Sequence, residues 1–436
     1  MDDHEKIDLL NGEPKTNQKA LSKNYLATKF GFTFLGMSGM LVYNLYLQEL
    51  GYFNATLGSN FALWGTMVYG ISNNSGQLLS IVFGRSFSFG GRIIWSCAGL
   101  AISVICIAIV TLLKPPGGFE ICLFMTLILG ISGAVHQSAS CGLAGAISGE
   151  AMNYMSLGQA LAGLFGWPVI FAIEAIFSHM GVSQMPSFVG EPSPAESMTV
   201  LVTFIFGAIF TICFIPYYIV EMSSEFELPA EKSESKISKM QVFEIVFGPA
   251  LIAWLILFIT FLVFPGQVLR WKPSYPNYPG GPFFYSNLLI YTFQVFDVVG
   301  RYVAMIPIKL SCNFVLNFTW PRVVIMLLFY PATYGWWVFS ADAFRIALVA
   351  VFALSNGLLI SWILRLGTEQ VAHLGAADVA GYIVSFFLVN GIFAGSVMAL
   401  LIGGPTAGPS QLVAEPEWLS QFHTLIELSP ESLQPA

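Results

Sequence analysis

The sequence predicts an all-helical protein that crosses a membrane many times, and three observations support this fold class. Only 10% of the 436 residues are charged and 56% are hydrophobic, whereas charged residues make up about a quarter of an ordinary soluble chain. The hydrophobic residues fall into runs of about 20, the length of a helix that crosses a bilayer. Stretches rich in proline, glycine and polar residues separate the runs. Helices are expected because each satisfies its own backbone hydrogen bonds in lipid.

The chain divides into eleven such segments and three polar regions. The predicted spans are residues 27–49, 59–84, 91–113, 119–148, 152–178, 197–220, 242–264, 283–306, 319–339, 342–364 and 379–402. A Ser-, Glu- and Lys-rich segment separates the sixth span from the seventh, which indicates a six-plus-five arrangement. We therefore expect a cytosolic tail, a six-helix bundle, a cytosolic linker, a five-helix bundle and an extracellular tail, over residues 1–26, 27–220, 221–241, 242–402 and 403–436.

The distribution of positive charge predicts the orientation. Lysine and arginine concentrate on the cytosolic side of membrane proteins. With the N-terminus inside, most of the 18 basic residues fall on that side, namely Lys6, Lys15, Lys19, Lys23, Lys29, Arg85, Arg92, Lys232, Lys236, Lys239, Lys309, Arg322 and Arg365. The odd number of spans then places the C-terminus outside. A glycosylation sequon at Asn54 falls in the first outer loop, in agreement with this orientation.

Several classes of function are disfavoured by the sequence. The six cysteines show no CxxC or Cys/His spacing, so neither a metal site nor a disulfide framework is indicated. No protease-type arrangement of catalytic residues occurs among the spans, which disfavours an enzyme. The net charge of −7 comes largely from tails and loops and indicates no nucleic-acid partner. The acidic N-terminus does not resemble a cleavable signal peptide.

The most informative stretch is Phe293–Arg301, inside the eighth span. Asp297 and Arg301 are four residues apart and share one helix face with Gln294. Ionisable groups at the centre of a membrane helix cost about 2.5–3.5 kcal/mol each, so they persist mainly when they face a bundle interior or a watery cavity. The stripe therefore indicates a transport pathway. The alternative is an ion pair that only locks this helix against its neighbours.

Other spans carry polar residues that could share this pathway. Tyr43 and Asn44 lie in the outer half of the first span, where Tyr43 could also be an interfacial aromatic anchor. Gln137 lies near the middle of the fourth span and requires a hydrogen-bond partner. Its neighbour His136 could be a packing residue or could titrate and confer pH sensitivity.

Together these motifs resemble the equilibrative nucleoside transporter family. Five stretches match its motifs in family order: Leu35–Asn44, Gln137 in span four, Met155–Gly163, Phe264–Gly266 and Phe293–Arg301. The resemblance covers about residues 25–402 and is closest to the divergent protozoan members. Tyr43 stands where the family usually has tryptophan, which leaves base preference open. The tail beyond Gly404 is longer than is usual for the family.

The resemblance implies a fold like that of the major facilitator superfamily, with two helical halves around a central cavity that opens alternately to either side. It implies that Asp297 and Arg301 contact the ribose and base and that Gln137 bonds the base edge. Tyr43, Met40 and Leu47 would line the pocket. We expect the further candidates at the edge of this site to be Gln294, Asn44 and His136.

The function expected is facilitated transport of nucleosides, with nucleobases as further candidate substrates, across the plasma membrane. We expect the protein to act as a monomer in the lipid bilayer and to require no cofactor. One alternative is proton coupling through Asp297, His136 or Glu174. Another is a major-facilitator-type carrier of a different polar solute such as a sugar. A membrane receptor or an intramembrane enzyme is the alternative from a different class.

Overall fold

The computed structural model describes residues 25–58, 60–182, 192–219, 237–274 and 281–403. These residues form eleven helices of at least 22 residues, a short helix Leu50–Leu57 and several 3-10 turns, with no strand in the described ranges. The long helices are α1 Tyr25–Gln48, α2 Phe61–Phe83, α3 Phe89–Leu113, α4 Gly118–Ile147, α5 Gly149–His179, α6 Pro194–Tyr217, α7 Lys239–Val263, α8 Gly281–Val303, α9 Cys312–Thr333, α10 Asp342–Glu369 and α11 Ala377–Gly403.

Nine of these helices are long and apolar enough to cross a membrane. The two that fall short of the apolar requirement are α2 and α8. Helix α2 buries Ser72, Asn73 and Gln77, and α8 contains Asp297 and Arg301. The polar residues that lower the hydropathy of both helices point into the bundle, where polar side chains of membrane helices normally lie.

Serine side chains begin five of the long helices. An N-cap oxygen accepts one of the backbone N–H groups that have no partner inside a helix. Ser193 and Ser238 form capping boxes with Glu196 and Gln241 at the starts of α6 and α7. The remaining three caps are Ser88, Ser148 and Ser311, before α3, α5 and α9.

The helices pack as an internal repeat that the sequence does not reveal. In the first six, the most extensive pairings include α1 with α5 and α2 with α4. In the last five, they are α7 with α11 and α8 with α10, the same pairings displaced by six helices. The halves meet where α5 contacts α8 and α10, and where α11 contacts α2 and α4. A parallel repeat of this kind is characteristic of major facilitator transporters.

Glycines let paired helices approach until their backbones touch. A Cβ on Gly36 would lie 2.1 Å from the Met155 carbonyl oxygen, and one on Gly158 would lie 2.0 Å from that of Thr33. Helices α8 and α10 meet in the same way, because a Cβ on Gly357 would lie 2.0 Å from the carbonyl oxygen of Asp297. Small residues at membrane helix crossings permit this close packing. Both crossings lie next to candidate site residues and fix their positions.

One predicted span is displaced in the structure. The ninth was expected at residues 319–339 with Arg322 counted among the cytosolic basic residues, whereas α9 covers Cys312–Thr333 and a separate 3-10 turn covers Trp337–Ser340. Arg322 is therefore inside the helix, with 0% of its surface exposed. The arginine was misplaced because neighbouring helices supply its hydrogen-bond partners, which the sequence cannot show.

Parts of three predicted regions lie outside the described residues. They are the N-terminal tail up to residue 24, residues 221–236 of the linker and the C-terminal tail from residue 404. These expectations stay predictions. The described part of the linker ends at Ser238, where α7 is capped.

Candidate functional site

The carboxylate of Asp297 is at the centre of a buried polar network. Only 4% of the residue is exposed. Its Oδ2 accepts a hydrogen bond from Arg301 Nε at 3.0 Å, and its Oδ1 accepts one from Asn356 Nδ2 at 2.7 Å. The first bond joins residues one helical turn apart, as the i,i+4 spacing predicts, and the second crosses from α8 to α10. Both carboxylate oxygens therefore accept hydrogen bonds from N–H donors of the protein.

Arg301 connects this network to the other half of the protein. Its Nη1 donates to the Ser156 carbonyl oxygen at 2.7 Å and to the Ser156 hydroxyl at 2.8 Å, both on α5. The hydroxyl in turn lies 3.0 Å from that of Ser361 on α10. Arg301 Nη2 makes no hydrogen bond within the described residues. The pair thus keeps one donor group and further acceptor capacity on the carboxylate for a polar solute.

A second arginine lies behind Asp297, on the side of Asn356. Arg322 Nη2 donates to the Thr260 hydroxyl at 2.7 Å and lies 3.4 Å from Asn356 Oδ1. Its Nη1 donates to the Phe352 carbonyl oxygen at 2.8 Å and also contacts the Ser355 hydroxyl. These contacts make Arg322 and Asn356 part of the site region. Sequence analysis missed both, because only contacts among four helices reveal them.

The other wall of the site comes from the first half of the chain. A narrow cleft lies between α1, α4 and α5, and its lining includes Met40, His136, Gln137 and Gln159. The side-chain amides of Gln137, Gln159 and Gln294 have no hydrogen-bond partner in the part of the chain that the structure describes. Gln137 is buried, where an unpaired amide costs free energy, and Gln159 and Gln294 are half-buried. All three amides are therefore available to a solute.

Gln159 was not predicted as a site residue, and helix register explains why it belongs here. Ser156 contacts Arg301, and Gln294 is close enough to Gly163 that a Cβ there would lie 2.4 Å from Gln294 Oε1. These two contacts are seven residues apart on both antiparallel helices, roughly 10 Å at about 1.5 Å per residue. Gln159 therefore lies on α5 at the level of Asp297 on α8, beside the space that Gln137 lines.

The structure gives different settings to the other predicted residues. Tyr43 stacks on Tyr69 with ring centroids 3.9 Å apart. Tyr43, Met40 and Leu47 pack against one apolar cluster, which includes Tyr69. Asn44 donates to the Met40 carbonyl oxygen at 2.9 Å on its own helix.

His136 is held by the protein on both sides of its ring. Nε2 lies 3.2 Å from the Ser38 hydroxyl, and Nδ1 lies 3.2 Å from that of Ser140. Only 1% of the residue is exposed. Both ring nitrogens are therefore engaged in this state, which is the arrangement of a packing histidine. A direct contact with substrate stays a prediction.

Polar contacts close one end of the bundle between the two halves. Arg85, after α2, binds Asp378 on α11 through two bonds, Nε to Oδ2 at 2.9 Å and Nη2 to Oδ1 at 2.6 Å. Arg92 donates to the Tyr382 hydroxyl at 2.9 Å. Lys239, at the start of α7, donates to two carbonyl oxygens at the end of α2, at 3.0 and 2.6 Å. These contacts join the two halves of the protein at this end.

The opposite end carries an unusual carboxyl group between α1 and the short helix. Burial, together with the negative charges of Glu174 and Glu196, raises the pKa of Glu49 to about 8. Its Oε1 is buried and has no partner within the described residues. Nearby, Asn54 lies in the short helix, where its Oδ1 accepts from the Ala62 amide at 2.7 Å. Its glycosylation stays a prediction.

Comparisons with known proteins agree with the motifs. The sequence profile of the family described as Nucleoside transporter matches residues 220–403, which include α8 and its Asp297–Arg301 pair. The chain is 26% identical over 318 residues to human equilibrative nucleoside transporter 1, covering 65% of this chain and 68% of that protein. It is 23% identical over 419 residues to equilibrative nucleotide transporter 1 of Arabidopsis thaliana, covering 90% and 89%.

The chain is therefore similar to equilibrative nucleoside transporters, and residues 220–403 match the Nucleoside transporter family. Its fold is similar to that of FucP, a major facilitator superfamily transporter solved in the outward conformation, with a TM-score of 0.62 and 12% identity over 87% of this chain and 92% of that one. Family and fold are those of a multi-pass membrane transporter rather than an enzyme. Kinship to the protozoan members stays a prediction.

Proposed function

We propose that this protein carries nucleosides down their concentration gradient by alternating access, with nucleobases as further candidate substrates. The observation that supports this most directly is the pairing of two chemistries at one level of the bundle. Asp297 and Arg301 offer charged hydrogen-bonding groups suited to a hydroxyl-rich sugar. Unpaired amides and the apolar side chain of Met40 lie opposite, suited to a base with a flat apolar face and a polar edge.

We assign the roles residue by residue. Asp297 accepts hydrogen bonds from ribose hydroxyls, and Arg301 Nη2 donates to a ribose or base acceptor. Gln137 reads the base edge, because a glutamine amide offers a donor and an acceptor side by side. Tyr43, Met40 and Leu47 form the apolar wall, and Gln294 lies at its margin. Asn44 and His136 support the wall from behind.

Alternating access follows from the closed end and the narrow centre. The residues around Gln137 leave no room for a water-sized molecule between them, whereas typical small-molecule pockets enclose roughly 300–1,000 Å³. A nucleoside therefore requires the halves to move apart around it. The contacts of Arg85, Arg92 and Lys239 join one half to the other at a single end, so they must break for the solute to leave there.

We propose that α2 and α8 cross the membrane with the other nine long helices, giving eleven spans in a monomer at the plasma membrane. The polar faces of these two helices are turned inward, which supports this assignment. With the N-terminus cytosolic, the closed end faces the cytosol and the C-terminus is extracellular. Most basic residues still fall inside without Arg322.

Competition for uptake of radiolabelled adenosine into liposomes containing the purified protein tests the substrate class. We expect unlabelled inosine and uridine to compete and fucose and xylose to have no effect. Asp297→Asn should remove most of the uptake, because the amide cannot accept hydrogen bonds on both atoms. Competition by the sugars, or unchanged uptake by Asp297→Asn, would contradict the proposed substrate and site.

A further inference from the structure

We infer that Arg322, through Asn356, is a positioning residue that holds the Asp297 carboxylate in its substrate-binding orientation. This inference rests on the proposed function, since it concerns how the same site recognises ribose. Arg322 has no exposed surface, so it cannot touch a solute in the described state. Its effect on the substrate must therefore pass through the residues it contacts.

The contacts fix which way the amide of Asn356 points. A guanidinium has only donors, so the Asn356 atom that faces Arg322 Nη2 at 3.4 Å must be the oxygen. Thr260 approaches the same oxygen at 2.8 Å and itself accepts from Arg322 at 2.7 Å. The nitrogen of the amide is left facing Asp297, to which it donates at 2.7 Å.

This orientation determines what Asp297 presents to a substrate. With Asn356 on one oxygen and Arg301 on the other, the carboxylate is held by two donors on different helices. Without Arg322, only the Thr260 hydroxyl faces the Asn356 oxygen. Because a hydroxyl can accept as well as donate, the amide can then turn and place its own oxygen against the carboxylate. Asp297 would then lose a donor, meet a repulsive contact and change its side-chain angle.

Arg322 is also a buried cation without a directly paired carboxylate. No acidic oxygen lies within ion-pair distance of it among the described residues; carbonyl and hydroxyl oxygens and the ring of Phe352, 4.3 Å from its guanidinium carbon, surround it. Its connection to α8 runs through Asn356, which contacts Arg322 with its oxygen and Asp297 with its nitrogen. An arginine that only packed α9 would not require this connection to α8.

Uptake of two substrates by single variants tests the inference. The substrates are adenosine and 2′,3′-dideoxyadenosine, which lacks the two ribose hydroxyls that Asp297 would bind. We expect Arg322→Gln to lower the Vmax/KM for adenosine roughly 10- to 100-fold, the range for hydrogen bonds to a charged group. The Vmax/KM for the dideoxynucleoside should fall far less. The ratio of the two Vmax/KM values, which measures the preference for adenosine, should therefore approach one.

Arg345→Gln is the matched control. Arg345 is also a buried arginine of the second half, with 5% exposure, but it bonds the carbonyl oxygens of Lys272 and Ala332 and has no contact with the Asp297 network. This variant should change uptake of both substrates by the same factor. Equal losses for both substrates in Arg322→Gln would show a merely structural role and overturn the inference.

A milder pair of variants covers the case in which Arg322→Gln does not fold. Thr260→Val removes the hydroxyl between Arg322 and Asn356 while keeping its shape, and should lower the adenosine preference by a smaller factor. Thr319→Val is its control, because that buried hydroxyl bonds only Val315 on its own helix. If wild-type protein transports neither substrate, the proposed function fails. If the wild-type protein prefers adenosine over the dideoxynucleoside and Thr260→Val keeps the same preference, only the positioning role fails.

Discussion

At the scale of single residues, the central site has one part that the sequence predicts and one part that it cannot. Asp297 and Arg301 stand out because two ionisable groups at helical spacing are rare in an apolar segment. Ser156, Asn356 and Arg322 are ordinary residue types whose importance depends on contacts across helices. A single sequence contains no record of those contacts. Gln159 is an intermediate case. The sequence shows the motif that contains it, Met155–Gly163, but does not show that it lies at the same height in the bundle as Asp297.

Replacement of Gln159 by leucine tests its place in the site. Gln159→Leu should raise the KM for adenosine roughly two- to tenfold with little change in protein stability, since the variant loses a hydrogen bond to the solute and none to the protein. Gln77→Leu is the control. That glutamine is buried, and its amide oxygen accepts a hydrogen bond from the Ser385 hydroxyl, between α2 and α11. An unchanged KM in Gln159→Leu would exclude a direct contact with substrate.

Glu49 should make stability depend on pH. Because its pKa rises from its ordinary value to about 8 on folding, the unfolded chain ionises first as pH rises from about 4.5. Folding is then increasingly disfavoured up to about pH 8, where the full penalty is reached. Glu49→Gln should therefore raise the apparent melting temperature at pH 8 and leave it unchanged near pH 4. An equal effect at both pH values would contradict the assigned shift.

At the scale of helices, the length and spacing of the apolar runs predict most boundaries to within a few residues. The exception is the ninth span, where Asn313, Asn317 and Arg322 made the first half of α9 resemble a loop. The sequence predicts which residues take part in close helix crossings but not which helices cross. Gly36 and Gly158 have the small-residue pattern of a crossing, but which helix each one meets depends on the tertiary fold.

The crossing of α1 and α5 should tolerate no side chain larger than glycine at its centre. Gly158→Ala places a methyl group against the Thr33 backbone, which should destabilise the protein by about 1–3 kcal/mol. The thermal unfolding temperature in detergent measures this effect. Gly51→Ala, with nothing within 4 Å of its Cβ position, should leave that temperature unchanged or slightly higher. Equal melting temperatures for the two variants would refute the close crossing.

At the scale of the whole molecule, the repeat of helix pairs divides the described helices into two halves. This repeat was not predicted, because the halves share packing rather than an evident residue pattern. The closing contacts were not predicted either. The turn containing Arg85 was recognisable as basic, but its partner Asp378 lies 293 residues away in the sequence.

Exchange of the charges at the closed end tests whether it acts as a gate. Asp378→Asn should weaken closure by about 1 kcal/mol, roughly fivefold in the ratio of open to closed molecules. Thiol labelling of a cysteine placed near the closed end should then accelerate. Combining Arg85→Asp with Asp378→Arg should restore slow labelling. Fast labelling in the double variant, with the protein folded, would show that the pair does not hold the halves together.

The central claim is passive nucleoside transport through the Asp297 site. Its most direct test is the plateau of radiolabelled adenosine uptake in liposomes containing the purified protein, measured with and without an inward proton gradient. We predict saturable uptake that ends when internal and external concentrations are equal, with the same plateau under both conditions, and little uptake by Asp297→Asn. Accumulation above the external concentration under the gradient, or no uptake above empty liposomes by folded protein, would contradict the claim.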